Sequence, residues 1–481
     1  MENNEQKWIS CPDCQGQGKK SRGLSKRAQV HYQAACETFR QLQGEGPQPI
    51  RPKAPLYRCA TCSGSGLVIS QTMPVADGEN RPHIAIIGGG IGGLALAVAC
   101  LHRGIPFSLF ERDLHFQARA QGYGLTLQQA SKAIKGLGIL SLEEAVVSTR
   151  HLVHTTSGKV IGEWGLRKWL PTAAAMPPKS SNLHIPRQTL RLALLEQLGG
   201  AAAVHWNHQL SDLKHNDEGG VNLSFRVGGE NKKVQADLVV GADGIRSTVR
   251  RLLLGDDCSP LQYLGCIVIL GICPLDALGN QKHELLDSAT VFQTANGHER
   301  IYMMPYTADT VMWQLSFPLS ENAAQMLSAQ GPQALKAEAS RRTQWHSPIP
   351  QIVAATAVDK ISGYPVYDRE LLDVTLMADL GPVTLIGDAA HPMSPFKGQG
   401  ANQALLDALT LARQIYRGTT AASNWRIEGI RPQVLDDFET EMMRRSASKV
   451  RGSAEAAQIL HSELALYEGN QTRGHQKLSP S

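Results

Sequence analysis

The stretch from His83 to Arg112 constrains the fold of this chain more than any other part of its sequence. It begins with a short apolar run that predicts a β-strand. It continues through glycines spaced G-x-G-x-x-G into an alanine-rich apolar segment typical of a buried helix. In such a turn the first glycine permits a tight bend, the second lets the backbone approach a pyrophosphate, and the third lets the helix pack closely on the strand. These positions are Gly88, Gly90 and Gly93.

An acidic residue completes this β-α-β unit. Glu111 ends the second predicted strand, eighteen residues after Gly93, where its carboxylate would accept hydrogen bonds from an adenosine ribose. The helix N-terminus offers free N–H groups and the positive end of a dipole to phosphates. The unit therefore predicts a Rossmann-like dinucleotide-binding domain, and the glycines alone leave open whether the ligand is NAD or FAD.

The length and charge of the chain limit its number of domains and its expected partners. A chain of 481 residues is long enough for two or three domains. It has no run of eighteen apolar residues free of glycine and charge and no signal-like start, so we expect a cytoplasmic protein without a membrane partner. The net charge of +5 lies in residues 1–70, where ten Lys or Arg face five Asp or Glu. Because such a cluster is usually a solvated surface, nucleic acid is not an expected partner.

Nine cysteines occur in a chain without an export signal, so disulfides are not expected. Four of them form a repeated pattern, CPDCQGQG at residues 11–18 and CATCSGSG at residues 59–66. Each CxxC turn can present two thiolates to one metal ion, and two such turns complete a tetrahedral site. A redox-active CxxC pair is the alternative. The predicted ligands of one structural zinc are Cys11, Cys14, Cys59 and Cys62.

The repeat resembles the zinc-binding region of J-domain co-chaperones, in which CxxCxGxG motifs bind zinc in pairs. A helix is predicted between the two motifs, over residues 25–42. Docking of a protein partner, self-association and simple stabilisation all fit a module of this kind.

Two further strand ends carry an aspartate beside a glycine. Residues 236–250 (ADLVVGADGIRSTVR) predict a strand ending at Asp243, and residues 383–402 (VTLIGDAAHPMSPFKGQGAN) predict one ending at Asp388. The second is followed by a loop and by a helix whose free N–H groups again point outward. A largely antiparallel sheet is predicted between the two signatures, from strands over residues 262–272, 290–293, 301–305 and 311–317.

The order of the three signatures resembles that of the para-hydroxybenzoate hydroxylase family of class A flavoprotein monooxygenases, over about residues 83–460. The resemblance implies FAD, with its pyrophosphate at the glycine turn and its adenosine ribose at Glu111, near Arg112. Arg187 matches an arginine that contacts the cofactor, Asp243 the aspartate of the family's DG motif, and Asp388 the aspartate that holds a ribitol hydroxyl. The residues expected at the flavin ring are Pro395, Gly398, Gly400, Ala401 and Asn402.

The same resemblance implies an activity. Transiently bound NAD(P)H reduces FAD, and O2 then gives a flavin hydroperoxide that hydroxylates an electron-rich aromatic or enol substrate. Met304, Trp313 and Phe396 are candidates for the substrate pocket, although ordinary core packing also explains each of them. His391 is interpreted as a residue that caps its loop, and no general base is predicted. The alternatives are an FAD-dependent reductase of a prenyl-type substrate and a zinc-bearing interaction protein with a regulatory flavin.

Together these patterns predict an α/β chain made of four parts and a tail. A small four-cysteine zinc module precedes a linker. A Rossmann-like FAD-binding domain with C-terminal helices follows, interrupted by an inserted, mostly antiparallel β-sheet substrate domain. The predicted boundaries are 1–70 for the module, 71–82 for the linker, 83–150, 184–258 and 378–466 for the FAD-binding domain, 151–183 and 259–377 for the substrate domain, and 467–481 for a disordered tail.

Overall fold

The computed structural model describes residues 6–43, 45–52, 54–119, 123–169, 182–279 and 283–473. The strands within these ranges are β1 (Lys7–Ser10), β2 (Lys19–Ser21), β3 (Leu56–Arg58), β4 (Leu67–Ser70), β5 (Ile84–Ile87), β6 (Phe107–Phe110), β7 (Gly124–Leu127), β8 (Val146–Ser148), β9 (Arg150–Thr155), β10 (Val160–Trp164), β11 (Asn182–Pro186), β12 (Val204–His205), β13 (Gln209–His215), β14 (Val221–Val227), β15 (Glu230–Ala236), β16 (Leu238–Gly241), β17 (Gln262–Pro274), β18 (Thr290–Ala295), β19 (Arg300–Pro305), β20 (Thr310–Pro318), β21 (Ile361–Asp368) and β22 (Val383–Leu385).

The α-helices of the same ranges are α1 (Lys26–Gln41), α2 (Ile91–Leu101), α3 (Leu166–Trp169), α4 (Arg187–Gln197), α5 (Thr248–Leu254), α6 (Glu321–Ala329), α7 (Pro332–Arg342), α8 (Ile349–Ala355), α9 (Thr375–Ala378), α10 (Gly400–Gly418), α11 (Trp425–Glu428) and α12 (Asp436–Leu460). In the part of the chain that the structure describes, none of these helices is long and apolar enough to cross a membrane.

A five-stranded parallel sheet lies at the centre of the FAD-binding part, in the order β12-β6-β5-β16-β22. Every residue of β5 is buried, as expected of a central parallel strand covered on both faces. Helix α2 leaves the end of β5 and packs along α10. The first and third sequence signatures therefore lie side by side, although about 300 residues separate them in the chain.

A seven-stranded sheet forms the second layer, in the order β10-β9-β18-β19-β20-β17-β21. Its neighbours pair antiparallel except β9 and β18, which are parallel. Helices α6, α7 and α8 cover one face of this sheet. The other face looks toward the FAD-binding part, so successive residues of each strand alternate between an apolar core and the space between the two layers.

Two smaller sheets complete the body of the molecule. Strands β7, β11 and β8 pair antiparallel, and β13, β14 and β15 form an antiparallel meander. The meander was not predicted, although β14 alternates buried Val221, Leu223 and Phe225 with less buried residues. Each of its two turns contains a glycine pair, Gly219-Gly220 and Gly228-Gly229. Alternating apolar runs joined by a glycine pair are typical of β-hairpins.

The N-terminal module contains two small antiparallel sheets of two strands each, in which β1 pairs with β4 and β2 with β3. Between them, α1 has no buried residue and is capped by Ser25, whose Oγ accepts a hydrogen bond from the Ala28 N–H at 3.2 Å. The linker that follows packs against the FAD-binding part. Its Arg81 is buried and donates to the carbonyl oxygens of Tyr416 and Thr419.

The predicted disordered tail needs a correction at its beginning. Residues 467–473 lie against β10, where the Gly469 N–H donates to the Ile161 oxygen at 3.0 Å and Arg473 donates to the same oxygen at 3.2 Å. The rest of the tail, 474–481, lies outside the described residues, as does the part of the predicted substrate domain over 170–181.

Candidate functional site

The three glycines of the first turn have different surroundings. A Cβ built on Gly88, where φ is +111°, would lie 2.5 Å from the Ala242 oxygen, and one on Gly93 would lie 1.9 Å from the Gly88 oxygen. These two glycines let β5, β16 and α2 approach one another. No atom of the described residues lies within 4 Å of a Cβ built on Gly90. Gly90 precedes α2 and opens onto a large cavity, which is the arrangement that the approach of a pyrophosphate requires.

Glu111 is buried at the end of β6, and backbone groups hold its carboxylate. Its Oε2 accepts a hydrogen bond from the Gly89 N–H at 2.7 Å, and its Oε1 accepts one from the Asp113 N–H at 3.0 Å. The next residue, Arg112, is exposed and stays outside this arrangement. Arg191 of α4, which the sequence analysis missed, donates from Nη2 to the Gly89 oxygen at 3.0 Å.

The Asp243 carboxylate follows β16 and has one satisfied and one unsatisfied oxygen. Its Oδ2 accepts hydrogen bonds from the N–H groups of Thr248 at 2.7 Å and Val249 at 3.2 Å, at the start of α5. Its Oδ1 is buried and has no hydrogen-bond partner among the described residues. Burial raises the pKa of Asp243, while hydrogen bonds from Ser247, Val249 and Thr248 oppose this change. Asp243 itself does not line the cavity, whose wall is formed here by its neighbours Ala242 and Gly244.

The third signature places Asp388 and the start of α10 together. A Cβ built on Gly400 would lie 3.4 Å from Asp388 Oδ1, and both residues line the cavity. Desolvation within the cavity raises the pKa of Asp388. The charges of His391 and Arg187 partly offset this increase. No side chain of the described residues caps the first turn of α10, so its backbone N–H groups remain available to an electron-rich ligand edge.

The loop before α10 is shaped by Gly398 and held by Asn402. Gly398 has a φ of +57°, in the left-handed region, and ends the short 3-10 helix Pro395–Lys397. The buried Asn402 amide makes four hydrogen bonds: Oδ1 accepts from the N–H groups of Gln128 and Ala130, and Nδ2 donates to the oxygens of Thr126 and Gly398. Pro395, Gly398, Gly400 and Ala401 line the cavity, whereas the Asn402 side chain fastens the loop to the end of β7.

His391 is part of a buried charge network behind the loop. Its Nε2 lies 2.8 Å from Asp407 Oδ2, and the other oxygen of Asp407 accepts from Arg445 Nη2 at 2.8 Å. Burial alone would lower the pKa of His391, but the adjacent Asp407 carboxylate raises it overall. The side chain does not line the cavity, and its hydrogen bond to Asp407 joins the loop to α10.

The cavity has a volume of about 1460 Å³ and runs from Gly90 past Asp388 and Pro395 to the inner face of the seven-stranded sheet. Arg187 at the start of α4 also lines it, with its guanidinium carbon 5.4 Å from the ring centroid of Tyr123. The apolar part of the wall at the sheet is formed by Leu270, Val291, Met304 and Met312, and the polar part by Gln293, Arg300, Tyr302, Gln314 and Tyr364.

Arg300 is the most unusual group on this wall. It is 5 % exposed, donates from Nε to Gln293 Oε1 at 2.7 Å, and lies with its guanidinium carbon 4.9 Å from the Tyr302 ring centroid. No Asp or Glu of the described residues forms an ion pair with it. Burial lowers the pKa of Arg300 to about 10, so the group keeps its charge near neutral pH. A buried cation without a carboxylate partner is a candidate anchor for an anionic ligand.

The three predicted pocket residues do not share one location. Met304 and Phe396 line the cavity. Trp313 does not, and this part of the prediction is wrong. It is fully buried on the opposite face of β20, under α8, where its Nε1 donates to Thr356 Oγ1 at 2.9 Å. Because strand side chains alternate, its neighbours Met312 and Gln314 face the cavity instead.

The four predicted metal ligands are buried and close together. All four sulfur atoms lie within 4.8 Å of one another, and Cys14 Sγ lies 3.7 Å from Cys62 Sγ. A tetrahedral zinc site with Zn–S bonds of about 2.3 Å requires sulfur–sulfur distances of about 3.8 Å, so the cluster fits a zinc ion. Backbone N–H groups support the sulfurs, from Gly18 to Cys14 Sγ at 3.1 Å and from Gly66 to Cys62 Sγ at 3.3 Å.

The two layers, the open helix N-termini and the cavity between them form a site that fits a flavin dinucleotide, and the family of the chain identifies it as a flavoprotein. The chain belongs to the family described as FAD binding domain, whose model matches residues 81–429. It is 26% identical over 408 residues to the FAD-dependent monooxygenase thnD of Trichoderma harzianum, covering 78% of this chain and 92% of that protein. It is 29% identical over 333 residues to 3-amino-4-hydroxybenzoate 2-monooxygenase PtnB3 of Streptomyces platensis, covering 69% and 79%.

Solved structures agree on the fold. Klebsiella pneumoniae HpxO complexed with FAD and uric acid superimposes with a TM-score of 0.63 at 21% identity, covering 80% of this chain and 90% of the other. The enzyme class predicted from the sequence is confirmed: the chain is an FAD-dependent monooxygenase and hence an oxidoreductase.

Proposed function

We propose that this enzyme uses NAD(P)H and O2 to hydroxylate an electron-rich aromatic or enol substrate that carries an anionic group. The observation that carries the proposal is a single cavity. It joins the open starts of α2 and α10 to a sheet face on which the buried Arg300 has no carboxylate partner among the described residues.

The residues present fit FAD. The N-terminus of α2 at Gly90 would hold the pyrophosphate, and Asp388 would accept a ribitol hydroxyl. Glu111 does not line the cavity but lies against the Gly89 N–H of the glycine turn, where it would accept a hydrogen bond from the adenosine ribose. The N-terminus of α10 would face the pyrimidine edge of the ring, where its dipole favours negative charge. Bound FAD would supply hydride acceptance from NAD(P)H and the activation of O2.

The protein's own groups would orient the substrate and exclude water. The Arg300 guanidinium would bind its anionic group and so direct the electron-rich ring toward the loop at Pro395. Burial raises the pKa values of Tyr302 and Tyr364, so both phenols stay protonated and can donate hydrogen bonds. The wall also has an apolar part, formed by Val291, Met304 and Met312. It disfavours water beside the reacting atoms.

The names of two of the similar proteins are consistent with an acidic ring substrate, while other relatives, such as the zeaxanthin epoxidase of Oryza sativa, are named for a neutral isoprenoid. One relative acts on 3-amino-4-hydroxybenzoate, a phenol with a carboxylate, and one structural neighbour is complexed with uric acid. A neutral prenyl chain would offer no anion to Arg300, whereas an acidic aromatic ring would.

The test is a panel of phenols and nitrogen heteroaromatics, each supplied as an acid and as its neutral ester or amide. Flavin reduction, NADPH or NADH oxidation, O2 uptake and product mass would be followed together. We expect an acid to stimulate coupled oxidation and to gain one oxygen atom, while its neutral form does not. Substrate reduction without O2 uptake would favour the reductase. A flavin that neither nicotinamide reduces would favour the interaction protein.

We also propose that the four cysteines hold one structural zinc. The support is the sulfur geometry and the chemistry of four buried thiols in a chain without disulfides. Metal analysis of the purified protein should give one zinc per chain, and Cys59→Ser should lose it. A Cys36→Ser control, at a cysteine outside the cluster, should retain the metal; equal zinc in all three proteins would contradict the assignment.

A further inference from the structure

The N-terminal module sits on the end of the α2–α10 pair that is far from the cofactor cavity. Gln17 Nε2 donates to the Arg413 oxygen at 3.0 Å, and Trp8 lies against the residue after the short 3-10 helix Ile134–Leu137, where a Cβ on Gly138 would meet its ring at 2.6 Å. Since α10 rises about 1.5 Å per residue, Arg413 lies about 20 Å from the start of that helix. The module therefore packs on the two helices at a distance from the flavin site.

Two arginines from these helices reach into the contact. Arg103, just after α2, is 2 % exposed and donates from Nη2 to the Gly16 oxygen at 3.2 Å and from Nη1 to the Ala99 oxygen at 2.9 Å. Arg413 of α10 donates from Nη2 to the Ser65 oxygen at 2.8 Å. In both side chains Nε is buried without a partner among the described residues. Gly16 and Ser65 belong to the two CxxCxGxG motifs, one from each.

Arg413 lies against the glycines that support two of the sulfur atoms. A Cβ on Gly18 or Gly66 would lie 3.1 or 3.2 Å from Arg413 Nη2, and these same two glycines donate their N–H groups to Cys14 and Cys62. Because these glycines have no side chains, the Arg413 cation can lie against the backbone that holds Cys14 and Cys62. Burial lowers the pKa of Arg413, and Cys14 and Cys62 act in the opposite direction.

No carboxylate of the described residues forms an ion pair with Arg103 or Arg413, so their charges need another partner. Four thiolates and one divalent cation leave two negative charges, and the two arginines supply two positive ones. We propose that the metal–thiolate cluster is the counter-ion of Arg103 and Arg413 and so locks the N-terminal module onto the helix pair that carries the flavin site. This inference rests on the proposed zinc site and gives that site its role.

A helix dipole offers a competing explanation, because both cations lie toward the C-terminal ends of their helices, where carbonyl groups alone favour positive charge. The two explanations differ in what they predict for zinc. If the helix dipole alone stabilises the arginines, removing one of them should leave zinc affinity unchanged. If the cluster is their counter-ion, the stabilisation is mutual, so removing an arginine must weaken zinc binding.

The experiment measures zinc affinity of the full-length protein by competition with a coloured chelator under reducing conditions. Arg413→Gln keeps a donor for the Ser65 oxygen but removes the charge, and we expect it to lower zinc affinity about 10- to 100-fold, the range typical of groups that support metal ligands. Arg413→Lys keeps the charge and should stay close to the unaltered protein. Arg417→Gln, on the exposed side of the same helix one turn later, is the matched control and should bind zinc normally.

Arg103→Gln is measured in the same way and should also lose affinity, so the test does not depend on one variant folding. Limited proteolysis within residues 71–82, with and without zinc, gives a second readout, and the Gln variants should be cut faster at equal zinc. Equal zinc affinity in Arg413→Gln, Arg103→Gln and Arg417→Gln would overturn the counter-ion role. A purified unaltered protein that binds no zinc would instead overturn the zinc site itself, so the two failures are distinguishable.

Discussion

The two ends of the α2–α10 pair differ in how their polar groups are satisfied. At the cofactor end, Gly90 has no neighbour, α10 has no side-chain cap, and Asp243 Oδ1 has no partner among the described residues. At the module end, Arg103 and Arg413 donate to carbonyl oxygens of the zinc motifs. The first end is therefore open to a ligand, whereas the second is occupied by a part of the same chain.

At the cofactor end, we expect the largest effects from substitutions of two glycines in the first turn. Gly93→Ala should destabilise the protein by at least about 3 kcal/mol, because its Cβ would overlap the Gly88 oxygen. Gly90→Ala should fold normally, since its φ of −75° suits alanine and its Cβ meets open space, but it should bind FAD at least about tenfold more weakly. Thermal melting and flavin fluorescence measure the two effects. Normal FAD affinity in Gly90→Ala would show that the cavity at this point does not hold the pyrophosphate.

A substitution of Arg300 tests whether the sheet wall of the cavity binds an anionic substrate. Arg300→Met should raise KM for an anionic substrate by roughly 30-fold, which corresponds to about 2 kcal/mol for hydrogen bonds to a charged group. Flavin content should not change, because Arg300 lies across the cavity from the cofactor residues. Steady-state kinetics with an acid and with its neutral ester provide the control. An equal loss for both forms would mean that the arginine shapes the wall and does not bind the anion.

Asp388→Asn should have a smaller effect on cofactor binding. The amide retains an acceptor for a hydroxyl group but not the charge, so FAD affinity should fall by roughly tenfold, or about 1.4 kcal/mol. Asp379→Asn, at an exposed carboxylate outside the cavity, should bind FAD normally. Titration of the apoproteins with FAD compares them, and identical dissociation constants would remove Asp388 from the site.

Each end also holds a buried neutral histidine, His184 near β7 and His102 against the module. Burial lowers the pKa of each to about 3, below the ordinary 6.5. A lowered histidine pKa stabilises the fold above the unfolded-state pKa, and this stability is lost as pH falls below about 6.5, by up to about 1.4 kcal/mol per pH unit for each group. Urea unfolding from pH 8 to 5.5 should show this loss, and His184→Gln should reduce it by one group. A profile unchanged by His184→Gln would show that His184 is protonated in the folded protein.

The local parts of the site could be predicted from the sequence because they depend on short patterns. Gly88 and Gly93 are required by contacts within one β-α-β unit, and Ser25 caps a helix that begins one residue later. The paired CxxCxGxG motifs likewise predicted four cysteines that do lie within 4.8 Å of one another. In each case the neighbours that matter are near in sequence or related by a repeat.

The missed parts depend on which face of a long-range sheet a side chain occupies. Trp313 and Met304 both looked like pocket residues, but the pairing of β19 with β20 puts Met304 and Met312 on the cavity face and Trp313 in the core. Arg300 could have been noticed as a charge within an otherwise apolar strand. Only the fold shows that it has no carboxylate partner among the described residues. Only the fold likewise brings Arg103 and Arg413, about 300 residues apart in the chain, to the two cysteine motifs.

The most direct test of the proposed activity is a stoichiometry with labelled oxygen. The FAD-loaded enzyme, NAD(P)H and an acidic aromatic substrate that stimulates O2 uptake would be mixed under ¹⁸O2, and product mass would be compared with NAD(P)H consumed. We expect one ¹⁸O atom in the product for each NAD(P)H oxidised. Unlabelled or reduced product, or NAD(P)H oxidation that yields hydrogen peroxide alone with every such substrate, would contradict it.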